Sequence, residues 1–255
     1  MKRDSQNVLL GIKHLSKSFG GVKAVVNVSF DLNEGELLGI IGPNGSGKTT
    51  LVNLITGFVK PDAGTVTYRG ENITGRTPYR IARLGISRTF QMVRPFAAIP
   101  AFKNLVIPLY SPRMKGLTGG GYGDRDSVAK DLLEEVGFER ESSVTYKPAG
   151  SLPHGYLKRL ELARCLALRA DLIILDELFS GLSIAELASI IPIIEKLMHE
   201  GKTVVMIEHR LRELFRIADR VVVLNFGQAI ADGKPAEVME KDDVKQAYLG
   251  SEAEE

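Results

Sequence analysis

The sequence predicts an α/β fold: a mostly parallel sheet with an antiparallel β subdomain and a helical insertion. Three observations predict it. Glu36-Leu37-Leu38-Gly39-Ile40-Ile41 is a short apolar run that leads straight into the glycine loop GPNGSGKTT, Gly42 to Thr50. From Leu172 onward, apolar runs alternate with helical segments, which implies parallel strands covered on both faces. Between these regions, residues 92–157 change character to helical spacing interrupted by a glycine-rich stretch.

Taken in order, residues 8–32 alternate apolar and polar in two runs separated by Gly20-Gly21, as antiparallel strands do. The buried strand, the glycine loop and a helix to about Gly57 follow. Pro61-Asp62-Ala63-Gly64 makes a turn before a strand at Thr65–Tyr68, and Thr77-Pro78 opens a helix. Ile86 to Phe90 is a short strand ending at Gln91. In the insertion, 101–110 and 125–136 carry helical spacing, and SPRMKGLTGGGYGD between them reads as a surface loop. A long helix runs from Tyr156 to about Arg169. Strands at Leu172–Leu175, Thr203–Ile207 and Arg220–Leu224 then alternate with helices at Ile184–His199 and Leu211–Ile217. An end strand with a turn and a frayed acidic tail, SEAEE, close the chain.

A chain of 255 residues can bury one full core. The formal charge of +2 gives no reason to expect nucleic acid as a partner. No apolar run approaches the roughly 18 residues of a membrane span, and MKRDSQNVLL lacks the apolar region of a signal peptide. The single cysteine, Cys165, excludes an intrachain disulfide and suits a reducing compartment.

The loop fits G-x-x-x-x-G-K-[ST] in its expected strand–loop–helix context. In the loop of Gly42, Pro43, Asn44, Gly45, Ser46 and Gly47, the backbone N–H groups of all but Pro43, which has none, would point toward phosphate oxygens at a helix N-terminus. Lys48 would reach the β- and γ-phosphates, the Thr49 hydroxyl would ligate Mg²⁺, and Thr50 completes the motif. A second constellation ends the strand at Leu172–Leu175. Asp176 there would hold Mg²⁺, and Glu177 would polarise a water for attack on the γ-phosphate.

With these two motifs, further stretches resemble the ATP-binding subunit of an ABC transporter over nearly the whole chain. That resemblance implies a P-loop NTPase with a RecA-like core at 1–91 and 158–255, and a helical subdomain at 92–157. Gln91, after SRTF, matches the glutamine that links Mg²⁺ and the attacking water to the membrane partner. His209, in MIEHR, matches the switch histidine at the γ-phosphate. Phe19 stands where an aromatic stacks on adenine; the alternative is plain core. SLPHGYLKRLELARCLA matches the signature segment, in which Leu152, His154 and Gly155 would cap ATP bound on a second subunit. RTFQMVRPF, the glycine-rich insertion, the L-P-x-G signature, IEH and AYLG resemble the subunits of branched-chain amino-acid importers, with urea and amide importers close by. The family implies ATP, Mg²⁺, permease subunits and peripheral attachment at the cytoplasmic face of the plasma membrane. Met92 to Pro100 is either insertion core or a groove for a permease helix, rimmed by Arg88 and Arg94.

The sequence departs from the family where L-S-G-G-Q becomes Leu152-Pro153-His154-Gly155-Tyr156. Leu178 replaces a proline, and Ser183 ends the D-loop in place of an aspartate. The groups that hold ATP on this chain are intact, and the altered ones mostly serve the partner's ATP. This pattern suggests an asymmetric head-to-tail heterodimer of cassettes. Two other readings are a low-turnover regulatory cassette, suggested by the altered signature, and a non-transport ABC ATPase. The latter class usually carries tandem cassettes or basic extensions, which this chain lacks.

Overall fold

The computed structural model describes residues 7–119, 123–140 and 142–249, so MKRDSQ and the tail SEAEE lie outside the described residues. In chain order the elements are β1 (Val8–Phe19), β2 (Val22–Asn33), β3 (Leu37–Ile41), α1 (Lys48–Ile55), β4 (Ala63–Tyr68), β5 (Glu71–Asn72), α2 (Pro78–Leu84) and β6 (Ile86–Arg88). Then come α3 (Ala101–Leu109), α4 (Pro112–Thr118), α5 (Arg125–Glu135), α6 (Ser143–Tyr146), a 3₁₀ turn (Ala149–Ser151), α7 (His154–Ala167) and β7 (Leu172–Asp176). The last are α8 (Ile184–His199), β8 (Thr203–Ile207), α9 (Leu211–Ile217), β9 (Arg220–Asn225), β10 (Gln228–Gly233), α10 (Pro235–Met239) and α11 (Asp242–Leu249). They fall into two compact units, Met1–Ile81 with Gly201–Glu255, and Ala82–Glu200.

The first unit holds two kinds of sheet. β1 and β2 form an antiparallel hairpin whose ends pair Phe19 with Val22 across Gly20-Gly21, and β4 pairs antiparallel to the other edge of β1. The parallel strands follow the order β9-β3-β8, with β10 antiparallel on β9. All five residues of β3 and of β8 are buried, as strands covered on both faces require. Arg220 ties the near ends together: its Nε donates to Glu36 at 2.5 Å and its Nη1 to Asp232 at 2.7 Å.

The second unit pairs β6 with β7 in parallel, and Leu172–Asp176 is buried throughout. Its helices build an apolar core around Leu105, Leu109, Leu133, Phe138 and Leu160. The sequence expects a loop between the two insertion helices, but Pro112–Thr118 forms α4. Ser111 caps it by accepting from the Met114 N–H, Pro112 opens its first turn, and Met114 is buried. Arg113 fixes the helix from outside, donating to the Leu168 and Arg169 carbonyls and to Asp171. These contacts are distant in sequence, so local composition does not reveal them.

The expected close on a strand and turn is also corrected, because α10 and α11 follow β10. Both are too short to show a helical period, although Pro235 at the first turn of α10 is a start signal. Among the described residues no helix is long and apolar enough to cross a membrane.

Cys165 is buried on α7, and burial pushes its thiol pKa up to about 12. The native protein at pH 8 is therefore expected to resist thiol-specific labelling until denaturant unfolds it. Mass spectrometry before and after guanidinium addition checks this.

Candidate functional site: a phosphate loop and an acid pair

The first unit carries the phosphate loop. Two of its glycines have no substitute. Gly42 lies at φ 146, and a Cβ there would come within 2.0 Å of the Leu224 carbonyl oxygen. Gly47 lies at φ 102, where a Cβ would meet the Ala24 oxygen at 2.3 Å. The loop is thus wound tightly against β9 and β2. Ser46 reinforces this, since its carbonyl accepts from the Gly227 N–H at 3.0 Å. Gly47 caps α1 without a side-chain acceptor, and the first turn has no acid. That leaves the helix's first N–H groups and its positive end suited to an anion.

Lys48 is 6% exposed, and its ammonium donates to the Gly42 and Pro43 carbonyls at 2.7 and 2.8 Å. It lies curled over the loop that it serves. Asn44, Gly45 and Thr49 are exposed, while Pro43 and Thr50 are half-buried. Tyr248, on α11, stands beside Gly42. Burial pushes its hydroxyl pKa up to about 12, against the opposing pull of the Gly42 backbone. This support was not legible in the sequence, because α11 itself was not.

His209 is exposed just past the end of β8, as a loop residue at a ligand edge would be. Phe19 is 46% exposed at the end of β1 with the Lys17 ammonium 5.3 Å from its ring centre, so it is not core.

The second unit carries the acid pair, held by the end of β6 and the residues that follow it. Four consecutive residues there, Arg88 to Gln91, are pinned. Arg88 Nη2 donates to Asp176 Oδ2 at 2.6 Å. The Thr89 N–H donates to the Ile174 carbonyl, while its hydroxyl accepts from the Asp176 N–H, both at 2.9 Å. The Phe90 N–H donates to Glu161 at 2.9 Å, and Gln91 Nε2 donates to Glu177 Oε2 at 2.9 Å. Gln91 and Glu177 are therefore brought together. Glu177 is held at φ 51, a left-handed backbone that a non-glycine residue adopts only under constraint. The buried Lys158 supplies that constraint, donating from Nζ to the Glu177 carbonyl at 2.9 Å and reaching the Gln91 carbonyl at 3.4 Å. Lys158 was missed because one lysine on a helix ordinarily reads as an exposed one.

Asp176 is 1% exposed, and its Oδ1 is buried without a hydrogen-bond partner among the described residues. An orphaned buried carboxylate oxygen beside one already neutralised is the donor a hard cation takes, so these residues fit Mg²⁺.

Of the altered signature and D-loop residues, Tyr156, His154 and Ser183 each have a partner on this chain. Tyr156 packs edge-on against Phe138, ring centres 4.9 Å apart. The His154 ring nitrogen lies 3.2 Å from the Ser180 carbonyl. Leu152 is 6% exposed, and Pro153 stands at the N-cap position of α7 without a side-chain capping bond. Ser183 caps α8: its hydroxyl accepts from the Glu186 N–H while Glu186 reaches back to the Ser183 N–H, a complete capping box. The Ser183 N–H and hydroxyl both donate to Glu186 Oε2 at 2.8 Å, and these two bonds hold the Glu186 carboxyl below its usual range. Gly155 lies against the same carboxylate, where a Cβ would stand 2.0 Å from Glu186 Oε1.

A groove of about 190 Å³ is lined by Arg88, Phe90, Phe96, Ile107, Pro108 and Arg164, among others. Arg164 lines this groove, Arg94 does not, and Arg164 donates to the Arg94 carbonyl at 3.1 Å. Glu161 reaches the same groove, and burial raises its carboxyl pKa.

Residues 25–180 match the ABC transporter family model. The chain is 37% identical to the Salmonella typhimurium high-affinity branched-chain amino acid transport ATP-binding protein LivG, over 95% of this chain and 98% of that one. It is 36% identical to BraF of Pseudomonas aeruginosa, a protein of the same description, with the same coverage. Among solved structures, the ADP conformation of MJ1267, an ATP-binding cassette of an ABC transporter, superposes with a TM-score of 0.83 at 32% identity, covering 95% of this chain and 99% of that one. The dimeric post-hydrolysis cassette MJ0796, bound to ADP and phosphate, gives 0.77 at 26% identity, covering 89% and 99%. This chain belongs to the ABC transporter family, as an ATP-hydrolysing cassette with a P-loop NTPase fold.

Proposed function

We propose that this chain energises an importer of branched-chain amino acids or related small amides, acting peripherally at the cytoplasmic face of the plasma membrane. The observation that carries this reading is end-to-end similarity to LivG and BraF, whose names give that transport role. Lys48 and the loop N–H groups bind the phosphates of ATP. Thr49 and Asp176, with Gln91, would hold Mg²⁺, which offsets the charge on the β- and γ-phosphate oxygens. Glu177 takes the proton of the attacking water, Gln91 fixes the Glu177 carboxylate, and His209 contacts the γ-phosphate. Phe19 offers an exposed ring for adenine.

The groove beside Phe90 and Phe96 suits a short permease helix, with Arg164 available to acids on it. The second cassette is a different protein with an unaltered signature. Support comes from the placement of the departures: Tyr156, His154 and Ser183 are engaged within their own chain, while the groups for this chain's own ATP keep the family pattern.

Reconstitution with its permeases, a second cassette and a binding protein tests the reading. ATP-dependent uptake of leucine, isoleucine or valine is expected, with no uptake when this chain is omitted. ATP hydrolysis without uptake of any of these, or of urea or short amides, would contradict the substrate class.

A further inference from the structure

Asp176 divides its two oxygens between different tasks. Oδ2 takes the Arg88 guanidinium at 2.6 Å, while Oδ1 is buried with no hydrogen-bond partner among the described residues. The two side chains are 6% and 1% exposed, so this is an ion pair away from water. Arg88 is itself held in place. It ends β6, which pairs in register with β7 through Ile86–Leu172, Ser87–Ile173 and Arg88–Ile174. Its guanidinium carbon also lies 5.2 Å from the centre of the Phe90 ring. The backbone below the carboxylate is fixed as well, by the bond from the Asp176 N–H to the Thr89 hydroxyl. With Oδ2 and the backbone both tied down, the carboxylate cannot rotate without breaking a buried ion pair.

We propose that Arg88 is a positioning residue for the Mg²⁺ site, which turns Asp176 so that Oδ1 alone faces the cation. A carboxylate without this anchor would sample other rotamers, which turns away the oxygen that Mg²⁺ needs. The phosphate loop belongs to other elements and does not depend on Arg88 for its shape. The inference rests on the reading of Asp176 as the Mg²⁺ carboxylate.

Binding of a fluorescent N-methylanthraniloyl ATP to the full chain tests this without recourse to turnover. Affinity is measured first in EDTA and then across a Mg²⁺ titration. Arg88→Met is expected to raise the Mg²⁺ concentration for half-maximal enhancement by about 10- to 100-fold, the usual effect of losing an outer-shell partner of a metal ligand. Binding in EDTA should stay within about twofold, since the phosphate loop is shaped by Gly42, Gly47 and the bond from Gly227 to Ser46. Arg88→Lys keeps the charge without the planar fork and should show a smaller shift in the same direction. If the Met variant does not fold, the Lys variant decides alone, because it keeps the buried carboxylate paired. An unchanged Mg²⁺ requirement in folded variants would overturn the inference, as would an equal fall in EDTA and in Mg²⁺. Failure of the unmodified chain to bind the nucleotide in EDTA and in Mg²⁺ would overturn the nucleotide reading with it.

Discussion

Glu177→Gln is expected to lower ATP turnover by the assembled transporter about 10²- to 10⁴-fold while leaving ATP binding unchanged. Glu177 is held in a left-handed backbone conformation at φ 51, its carbonyl is tied to buried Lys158, and its carboxylate is met by Gln91. None of these contacts needs the proton-accepting power of the carboxylate. Glutamine has the same shape and offers an amide oxygen for the Gln91 bond, so the loop should hold. Only the capacity to take a proton from water disappears. Phosphate release measures the first effect, and fluorescent nucleotide binding the second. A variant that retained more than about a tenth of the activity would place the base elsewhere.

Lys48→Met should act on binding, weakening ATP affinity by about 10- to 100-fold, as loss of a charge-assisted hydrogen bond to phosphate does. The stem of Lys48 is buried, and its ammonium already lies over the loop, bonded to the Gly42 and Pro43 carbonyls. Methionine can fill the space of the stem but can donate to nothing. The loop's shape rests on Gly42, Gly47 and the bond from Gly227 to Ser46, all of which stay in place. The fall should therefore appear in nucleotide affinity with little change in thermal stability. Calorimetric titration and a melting curve separate the two.

What the sequence revealed and what it hid follow from the kind of interaction. The phosphate loop was legible because its chemistry needs glycine at fixed places, and Gly42 and Gly47 meet backbone oxygens that no side chain could clear. The parallel strands were legible because a strand buried on both faces is apolar at every position, as Leu37–Ile41 and Leu172–Asp176 nearly are. The helix α4 was hidden because Arg113 and Met114 anchor it through contacts absent from its own sequence. Buried charges were hidden for a related reason. Arg88 and Lys158 look like surface residues until the carboxylate or carbonyls that receive them are placed. Tyr156 and Ser183 read as defects of the family pattern. In the structure one packs on Phe138 and the other completes a capping box.

The central claim is that this chain's own acid pair drives transport, completed by a different cassette. It is tested most directly by comparing two transporters that differ only in which cassette carries the Glu→Gln change. Glu177→Gln in this chain should abolish most ATP hydrolysis, whereas the matching change in the partner cassette should leave most of it. Equal loss from the two changes would contradict the account.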